Sequence, residues 1–291
     1  MSTSQNHNLA ELAEIAGSIA RNVGVQVRAA REAGVEVAAT KSSIVDVVTA
    51  ADQEAERLVT EGLRAARPDD GLLGEEGASH EGTSGITWVI DPIDGTVNYL
   101  YGLPSYAVSI AATVPNEGWG ATAEPGAMAD GRRAIAGAVY VPVTDELFTA
   151  TEGGGAFLNG RAIGVTEETD LARALVATGF GYTVERRTEQ AEVVRQLIPQ
   201  VRDIRRMGAA AVDLCWLAAG RLDAYYERGL QPWDYAAGAL VAREAGAVTL
   251  GLYHDTLAGE PMLIACPPAL AYQMQDALRD AYRTFEGNAG E

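Results

Sequence analysis

The chain has 291 residues, of which 47% are apolar, and its 40 acidic against 22 basic side chains leave a formal net charge of −18. That composition is typical of one large or two modest globular domains, and it excludes an intrinsically disordered chain. Such an acidic surface repels nucleic acid and anionic lipid, so we expect neither nucleic acid nor a membrane as a partner. A small anionic substrate can still bind where cations lie between it and the protein.

The metal-ligating residue types favour hard cations and a reducing compartment. His7, His80 and His254 lie far from one another and from the cysteines Cys215 and Cys266, so a histidine-bound zinc site is not expected. Carboxylates are left as candidate ligands for magnesium or calcium. No apolar run reaches the roughly 20 residues that span a bilayer, and the polar N-terminal stretch is unlike a secretory signal. We interpret both cysteines as reduced core residues and expect a cytoplasmic protein.

The first half of the chain predicts long helices followed by short strands. Apolar residues at helical spacing predict a helix from Leu9 to about Ala33, and Thr49-Ala-Ala-Asp52 is typical of a capping box at the start of a second helix, which Pro68 ends. Strands are predicted at Gly71–Leu73, Thr87–Ile90, Tyr106–Val114 and Ile135–Val141. The Gly-, Ala- and Pro-rich segment 115–133 predicts a surface loop or a long hairpin tip.

The second half alternates strands with helices, which favours an α/β layer. Strands are predicted at Ala174–Thr178, Asp203–Arg206, Leu222–Tyr226, Ala247–Leu250 and Met262–Ala265. Helices are predicted near Glu189–Val201 and at Ala209–Ala219, Trp233–Ala245 and Ala269–Thr284. We therefore predict an α+β half at residues 1–168 and an α/β half at residues 169–291.

The stretch WVIDPIDGTVNYL ends an apolar strand on two aspartates. Pro92 prevents the strand ladder from continuing, and the turn brings Asp91 and Asp94 to one side with the carbonyl of Ile93 free of pairing. Two carboxylates so close raise each other's pKa unless a cation lies between them, and magnesium and calcium both prefer oxygen ligands. The alternative interpretation is a simple turn at Asp94 with Asp91 as a cap.

The residues after this pair are suited to an anion. Gly95 and Thr96 can begin a short helix whose N–H groups point outward, and such helix ends bind phosphate. Two further acidic element ends occur elsewhere: Glu75 follows an apolar strand, and Asp234 lies in the first turn of a helix that begins near Pro232. Alone, these are explained by a solvated loop and by helix capping. Three acidic element ends in one chain instead indicate a composite site.

These motifs, in this order, resemble those of the inositol monophosphatase family, which belongs with fructose-1,6-bisphosphatase to the lithium-sensitive, magnesium-dependent phosphatases. The matching stretches are GEEG, WVIDPIDGTVNY and WDYAAGALVAREAG, joined by SSIVDVVTAADQ and GAAAVDLCWLAAGRLDAYYERG, and they span about residues 44–246. The resemblance implies a layered α-β-α-β-α sandwich, usually a homodimer, with two or three magnesium ions in a site between the halves.

The resemblance also assigns roles to residues. The implied metal ligands are Glu75, Asp91, the Ile93 carbonyl, Asp94 and Asp234. Asp91 would bridge the first two ions, and a weaker third ion would lie near Glu75. Thr96 and Asp52 match a pair that orients the attacking water beside Glu75.

Substrate contacts are implied as well. The N–H groups of Gly95 and Thr96 would bind the phosphate. Glu227 would contact substrate hydroxyls, and Ala210 lies in the matching pocket segment. Val97 and Ala209 depart from the common family pattern, and the 115–133 loop is longer than usual, which affects the substrate pocket and its lid.

The implied activity is magnesium-dependent hydrolysis of a phosphate monoester, myo-inositol 1-phosphate above others, by a water that the metal activates. The same-class alternatives are histidinol phosphate, fructose 1,6-bisphosphate and a 3′-phosphonucleotide. A different alternative is a regulatory protein that keeps the fold but acts by binding.

Several nearby residues have ordinary structural explanations. We interpret Trp88 and Trp233 as packing residues at element ends. One of Tyr225 and Tyr226 is expected to face the core. Lys41 is expected to be an exposed lysine.

Overall fold

The computed structural model describes residues 7–34, 37–40, 47–118 and 123–288. Lys41, all of the SSIVD stretch (residues 42–46) and part of the 115–133 loop lie outside the described residues. The helices are α1 (Leu9–Ala33), α2 (Ala50–Ala66), α3 (Thr96–Tyr101), α4 (Val184–Leu197), α5 (Ala210–Ala218), α6 (Pro232–Glu244) and α7 (Ala271–Asn288). In this part of the chain no helix is both long enough and apolar enough to cross a membrane.

The strands form a hairpin and two larger sheets. The hairpin joins β1 (Val37–Thr40) and β2 (Val47–Thr49). The first large sheet contains β3 (Gly71–Gly74), β4 (Ser79–His80), β5 (Thr87–Asp94), β6 (Ala107–Pro115), β7 (Arg132–Val141), β8 (Glu146–Thr151), β9 (Gly155–Leu158) and β10 (Arg161–Ala162). The second contains β11 (Leu175–Thr178), β12 (Asp203–Arg205), β13 (Ala224–Arg228), β14 (Val248–Leu250) and β15 (Met262–Cys266).

The order of the eight-stranded sheet is β10-β9-β8-β7-β6-β5-β3-β4, and its neighbours are antiparallel except for the parallel pair β3 and β5. The order of the five-stranded sheet is β12-β11-β13-β15-β14, with β11 parallel to both β12 and β13. Because β3 and β5 run side by side in the same direction, their carboxyl ends meet at one edge, and likewise for β11 and β13.

Helices and sheets alternate in five layers, which confirms the predicted α-β-α-β-α sandwich. Helices α1 and α2 pack on one face of the eight-stranded sheet. Helices α5 and α6 fill the space between the two sheets, where small residues such as Ala211 and Ala237 are fully buried. Helices α4 and α7 cover the far face of the five-stranded sheet. The central helix layer therefore begins close to the ends of strands from both sheets.

The capping box predicted at Thr49 is present. The Asp52 N–H donates to the Thr49 hydroxyl, and the Thr49 N–H donates to the Asp52 carboxylate at 2.7 Å. One prediction at the start of α4 is wrong, since that helix begins at Val184 rather than near Glu189. Thr183 accepts from the N–H of Arg186 and caps the helix earlier than the apolar pattern indicated.

The predicted end of β5 at Ile90 is also wrong, because the strand continues through Pro92 to Asp94. Asp91 pairs with Ser109 and Asp94 with Ala107, so the register shifts between the two aspartates. The proline lies within this bulge, where the missing N–H interrupts no regular ladder bond. Both aspartates therefore lie within the last part of β5, and the bulge between them sets their positions near the edge of the sheet.

Candidate metal-binding active site

A cavity of about 410 Å³ opens where β3, β5 and β13 end and where α3, α5 and α6 begin. It is lined by every site residue that the resemblance implied except Asp52. The lining includes Glu75, Asp91, Ile93, Asp94, Gly95, Thr96, Ala210, Glu227 and Asp234. Glu75 and Asp234, which are 159 positions apart in the chain, thus line one cavity, and local sequence patterns could not establish this.

Four of these residues, Glu75, Asp91, Asp94 and Asp234, form what we call the acidic wall. Asp91 is 2% exposed, and its Oδ1 accepts the N–H of Ile93 at 3.1 Å. The capping interpretation of Asp91 is therefore correct, but it describes only one of its two oxygens. The same applies to Asp234, whose Oδ2 accepts the N–H of Gln231 at 2.7 Å and so closes the first turn of α6. Capping holds both side chains in place at the cavity.

Asp94 joins the eight-stranded sheet to the central helix layer. Its Oδ1 accepts the N–H of Ala210 at 3.1 Å, and its Oδ2 accepts the N–H of Ala211 at 2.8 Å. Ala209, at the N-cap position of α5, cannot cap the helix with its methyl side chain. The carboxylate of Asp94 supplies that cap from another element, where negative charge is also favoured by the helix dipole.

Glu75 lies on a turn that a buried glutamate organises. Glu56, on α2, accepts the N–H of Glu76 and the N–H of Ala78, both at 2.8 Å. The backbone N–H of Glu75 also donates to the carbonyl of Ile90 at 3.2 Å. The turn after β3 is therefore held from both sides. Sequence reasoning missed Glu56, because a glutamate in the second turn of a helix carries no local signal of such a role.

The acidic wall is electrostatically unfavourable by itself. Burial raises the pKa of Asp91 and of Asp234 well above the usual range, and neighbouring carboxylates raise both further. Burial also raises the pKa of Asp94 to about 7, against the lowering effect of the Ala211 N–H. Within the described ranges, no three Asp, Glu, His or Cys side chains converge closely enough to hold one ion in this conformation. The oxygen donors nevertheless match a hard cation, which would relieve the repulsion that raises these pKa values.

Thr96 connects the cavity to a carboxylate behind it. Its hydroxyl lies 3.0 Å from Oδ1 of Asp52 and 3.1 Å from the carbonyl oxygen of Ile93. Burial raises the pKa of Asp52 to about 6, while hydrogen bonds from Thr49 and Thr96 act in the opposite direction. Asp52 does not line the cavity, but its carboxylate is hydrogen-bonded to the hydroxyl of Thr96, which does.

Gly95 is the residue that lets the chain turn from β5 into α3. Its φ of 90° lies in the left-handed region, and a Cβ there would lie 2.8 Å from the carbonyl oxygen of Ser105. Asn98 supports the same turn by donating from its amide to the carbonyls of Ser105 and Met207. Another residue at position 95 would displace the N-terminus of α3 that faces the cavity.

The opposite side of the cavity, which we call the rim, consists of Phe180, Tyr182, Arg206 and Trp233. The guanidinium of Arg206 lies 5.8 Å from the centre of the Phe180 ring. Sequence reasoning did not select Phe180 or Tyr182, although they follow the strand β11 directly, the same type of position that revealed Glu75. The interpretation of Trp233 as a packing residue is incomplete, because Trp233 contacts the central core and also lines the cavity.

Other structural interpretations have clear outcomes. Trp88 is fully buried, and its indole N–H donates to Asp70 at 2.9 Å, so its packing role is confirmed. Tyr225 and Tyr226 are both buried, on opposite faces of β13, rather than one facing the core and one not. Both faces of the five-stranded sheet are covered by helices, which is why the strand has no exposed side here.

Comparison with known proteins decides the family. The sequence profile of the inositol monophosphatase family matches residues 8–282. The chain belongs to the inositol monophosphatase family. The inositol-1-monophosphatase of Mycobacterium leprae is 43% identical over 254 residues, which cover 84% of this chain and 80% of that protein. The solved structure of Mycobacterium tuberculosis SuhB has 40% identity and a TM-score of 0.77, and the match covers 95% of this chain and 98% of that one.

The chain is also similar to a relative that is not named as a phosphatase. The Nus factor SuhB of Salmonella typhimurium is 37% identical over 248 residues, covering 82% of this chain and 86% of that protein. Membership of the inositol monophosphatase family confirms the predicted fold and the predicted class of enzyme, a phosphoric monoester hydrolase. The individual roles that the resemblance assigned to residues stay predictions, and they are taken up below.

Proposed function

We propose that this inositol monophosphatase family member catalyses the magnesium-dependent hydrolysis of a phosphate monoester, with myo-inositol 1-phosphate as its substrate. The observation that carries the proposal is the meeting of the four carboxylates of the acidic wall with the Ile93 carbonyl around one cavity. The family membership adds the reaction class, and the buried, mutually repelling carboxylates add the requirement for a cation. Two or three magnesium ions per site follow from the family resemblance.

The donor set divides between two principal ions. The first would be held by Glu75, Asp91 and the Ile93 carbonyl, and the second by Asp91, Asp94 and Asp234. Binding would draw the carboxylates closer together, because they do not yet converge in the described conformation. When bound, magnesium neutralises charge on the phosphate and makes the attacking water more acidic.

The chain's own residues would supply orientation and proton transfer. The Thr96 hydroxyl donates its proton to ionised Asp52, which leaves the Thr96 oxygen able to accept a hydrogen bond from water in the cavity. Glu75 would orient the same water from the β3 side. The N–H groups of Gly95 and Thr96 would bind the phosphate at the start of α3. On the substrate's other side, Ala210 and Glu227 would contact the alcohol that leaves.

The experiment measures phosphate release from myo-inositol 1-phosphate, fructose 1,6-bisphosphate, histidinol phosphate and a 3′-phosphonucleotide, with magnesium and with EDTA. We expect the highest kcat/KM for myo-inositol 1-phosphate and no turnover in EDTA. Asp94→Asn serves as the matched variant, because asparagine keeps one acceptor for the N-terminus of α5 but loses the charge. Full activity in EDTA or in Asp94→Asn contradicts the magnesium mechanism; faster turnover of another ester reassigns the substrate.

Binding order provides a second test of the acidic wall. Four carboxylates around one cavity repel a phosphate until cations are present, so metal should bind before substrate. Calorimetric titration of inorganic phosphate should give a strong signal with magnesium and little without it. Equal binding in both conditions contradicts this order.

A regulatory binding role is the second candidate function, and the similarity to a protein named as a Nus factor favours it. It predicts that the partner-binding activity survives in Asp94→Asn, whereas the hydrolytic role does not.

We propose further that the enzyme is a cytoplasmic homodimer and that lithium inhibits it. The α+β half at residues 1–168 would supply most cation ligands, and residues 169–291 would supply Asp234. Sedimentation and a lithium titration of the hydrolysis rate test these properties separately.

A further inference from the structure

We propose that Tyr225 is a positioning residue for substrate selection, because its hydroxyl and the bare backbone of Gly179 together hold the Glu227 carboxylate in one orientation at the cavity. The inference rests on the proposed hydrolysis of a polyol phosphate and adds to it the reason that a hydroxyl is recognised at one fixed place. Neither Tyr225 nor Gly179 was among the site residues that the sequence indicated.

The first restraint is a hydrogen bond from a buried tyrosine. Tyr225 is fully buried, and its hydroxyl donates to Oε2 of Glu227 at 2.7 Å. The two residues are two positions apart on β13, so their side chains extend to the same face of the strand. A hydrogen bond to an ionised acceptor is stronger than one between neutral groups, which makes this contact effective in fixing the carboxylate.

The second restraint is steric. A Cβ built on Gly179 would lie 1.8 Å from Oε2 and 2.3 Å from Oε1 of Glu227. The carboxylate therefore occupies the space that any other residue at position 179 would fill. The parallel pairing of β11 with β13 causes this approach, since Thr178 is opposite Tyr226 and the next residues are Gly179 and Glu227. Gly179 does not have a positive φ, so its small size, and not its backbone freedom, matters here.

The backbone of Glu227 is fixed as well. Glu227 pairs with Leu263 in the antiparallel ladder between β13 and β15. Burial raises the pKa of Glu227, whereas the hydrogen bond from Tyr225 and the positive charge of Arg206 favour its ionised form. The Glu227 side chain therefore has a fixed backbone, one oxygen bonded to Tyr225 and a carboxylate packed against Gly179. It loses little conformational entropy when a substrate hydroxyl binds. The cavity should thus prefer phosphate esters that carry a hydroxyl over those that lack one.

The experiment compares two substrates in variants of the full chain. Myo-inositol 1-phosphate carries ring hydroxyls, whereas phenyl phosphate has none. In Tyr225→Phe, we expect kcat/KM for myo-inositol 1-phosphate to fall roughly 10-fold, the lower range for losing a hydrogen bond to a charged group, and that for phenyl phosphate to stay within about twofold. Gly179→Ala should reduce the same ratio by displacing Glu227. The reduction should be absent when either change is made in a Glu227→Ala background, which leaves no side-chain oxygen for Tyr225 and Gly179 to position.

Tyr226→Phe is the matched control. Tyr226 is the neighbour of Tyr225 on β13 and is equally buried, but it packs on the opposite face of the sheet, against α4 and α7. It should leave the substrate ratio unchanged, with any effect confined to the melting temperature. Equal losses on both substrates in Tyr225→Phe, or the same change of ratio in Tyr226→Phe, overturn the inference. If the unaltered chain hydrolyses neither ester, the proposed function fails, and the inference fails with it.

Discussion

The acidic wall and the rim face each other across one cavity, yet they are built in different ways. In the acidic wall, Glu75 follows β3, Asp91 and Asp94 lie in the bulged last part of β5, and Asp234 lies in the first turn of α6. Backbone N–H groups restrain the side chains of Asp91, Asp94 and Asp234. The rim is assembled from aromatic side chains and one exposed arginine on the loops after β11 and β12 and at the start of α6. Backbone hydrogen bonds therefore restrain the carboxylates, while the rim depends on side-chain packing.

This contrast suggests a division of work. Groups that must hold cations need fixed positions, because magnesium demands nearly octahedral geometry. Groups that choose among substrates can vary without disturbing that geometry. Substitutions at the rim should therefore change the preference among substrates without moving the cation ligands. Four variants or conditions test this division, and their expected effects decrease in the order given.

The largest effect is expected from Asp91→Asn, in the acidic wall. Asparagine can still accept the Ile93 N–H through its Oδ1, but it removes the charge that would bridge two cations. We expect the hydrolysis rate to fall about 1000-fold or more, as when a main charge-stabilising group is lost. Phosphate release at saturating magnesium measures the loss. Thermal unfolding is the control and should show no decrease, because a buried repulsive charge has gone.

A rate above one tenth of the original in Asp91→Asn would contradict the bridging role. A rate loss accompanied by a fall in the melting temperature would instead show that Asp91 stabilises the fold. Either result would remove the distinction between the acidic wall and ordinary capping residues.

A smaller effect is expected from pH, through Asp52. Its pKa of about 6 predicts that the acceptor for the Thr96 hydroxyl is protonated below that pH, so kcat should fall roughly 10-fold per pH unit below 6. The raised pKa also means that Asp52 contributes most to stability when protonated, and this contribution is lost as the pH rises from about 4 to 6. Activity and this part of the stability should therefore change in opposite directions.

The measurement is a pH–rate profile at saturating magnesium, in the original chain and in Asp52→Asn. The variant should be slower overall and should lack the decline near pH 6. A decline that persists unchanged in Asp52→Asn belongs to another group, and a flat profile down to pH 5 refutes the role of the pair.

At the rim, Arg206→Gln should have a modest effect. Its charge faces Glu227 and adds positive potential at the entrance to the cavity, so its loss should raise KM about threefold with kcat unchanged, and less so at high salt. Arg205→Gln is the matched control, because Arg205 pairs with Asp203 on its own strand. Equal shifts in both variants would show an effect of net charge alone. A large loss of kcat in Arg206→Gln would place the arginine in the chemistry.

The smallest effect on activity is expected from Asp213→Asn, beneath the cavity on α5. Asp213 is buried, and its Oδ1 finds no hydrogen-bond partner among the described residues. Burial, with the nearby charges of Glu227 and Asp94, raises its pKa well above the ordinary 3.8. The unfolded carboxyl ionises above pH 4 while the folded one stays protonated, so the original chain loses stability as the pH rises.

Asparagine does not titrate. We therefore expect the free energy of unfolding of Asp213→Asn to exceed that of the original chain by about 1–3 kcal/mol at pH 7 and to equal it at acid pH. The rate of hydrolysis should be normal. Denaturant unfolding at a series of pH values measures this difference. A constant difference at all pH values would contradict titration as its cause. Together with Asp91→Asn, this variant separates two buried aspartates of the same region by function.

Part of the site could be predicted because its signals are local. Pro92 between two aspartates, Gly95 after them and Pro232 ahead of Asp234 each indicate backbone geometry within a few residues. Glu227 came only from the family resemblance. The aromatic rim could not be predicted from spacing, because Phe180 and Trp233 line the same cavity only through the pairing of β11 with β13 and the packing of α6 between the sheets.

Local rules of turns, caps and apolar periodicity therefore predicted the α+β and α/β halves and the acidic residues at element ends. The order of the motifs resembled that of the inositol monophosphatase family, and this resemblance implied the reaction class and the five alternating layers. Tertiary packing decided the rest: the bulge that carries β5 past Pro92, the capping of α5 by Asp94, and the seating of Glu227 between Tyr225 and Gly179. These contacts join residues from different elements, and their partners are selected by the register of strands and the depth of helices, which no local pattern encodes.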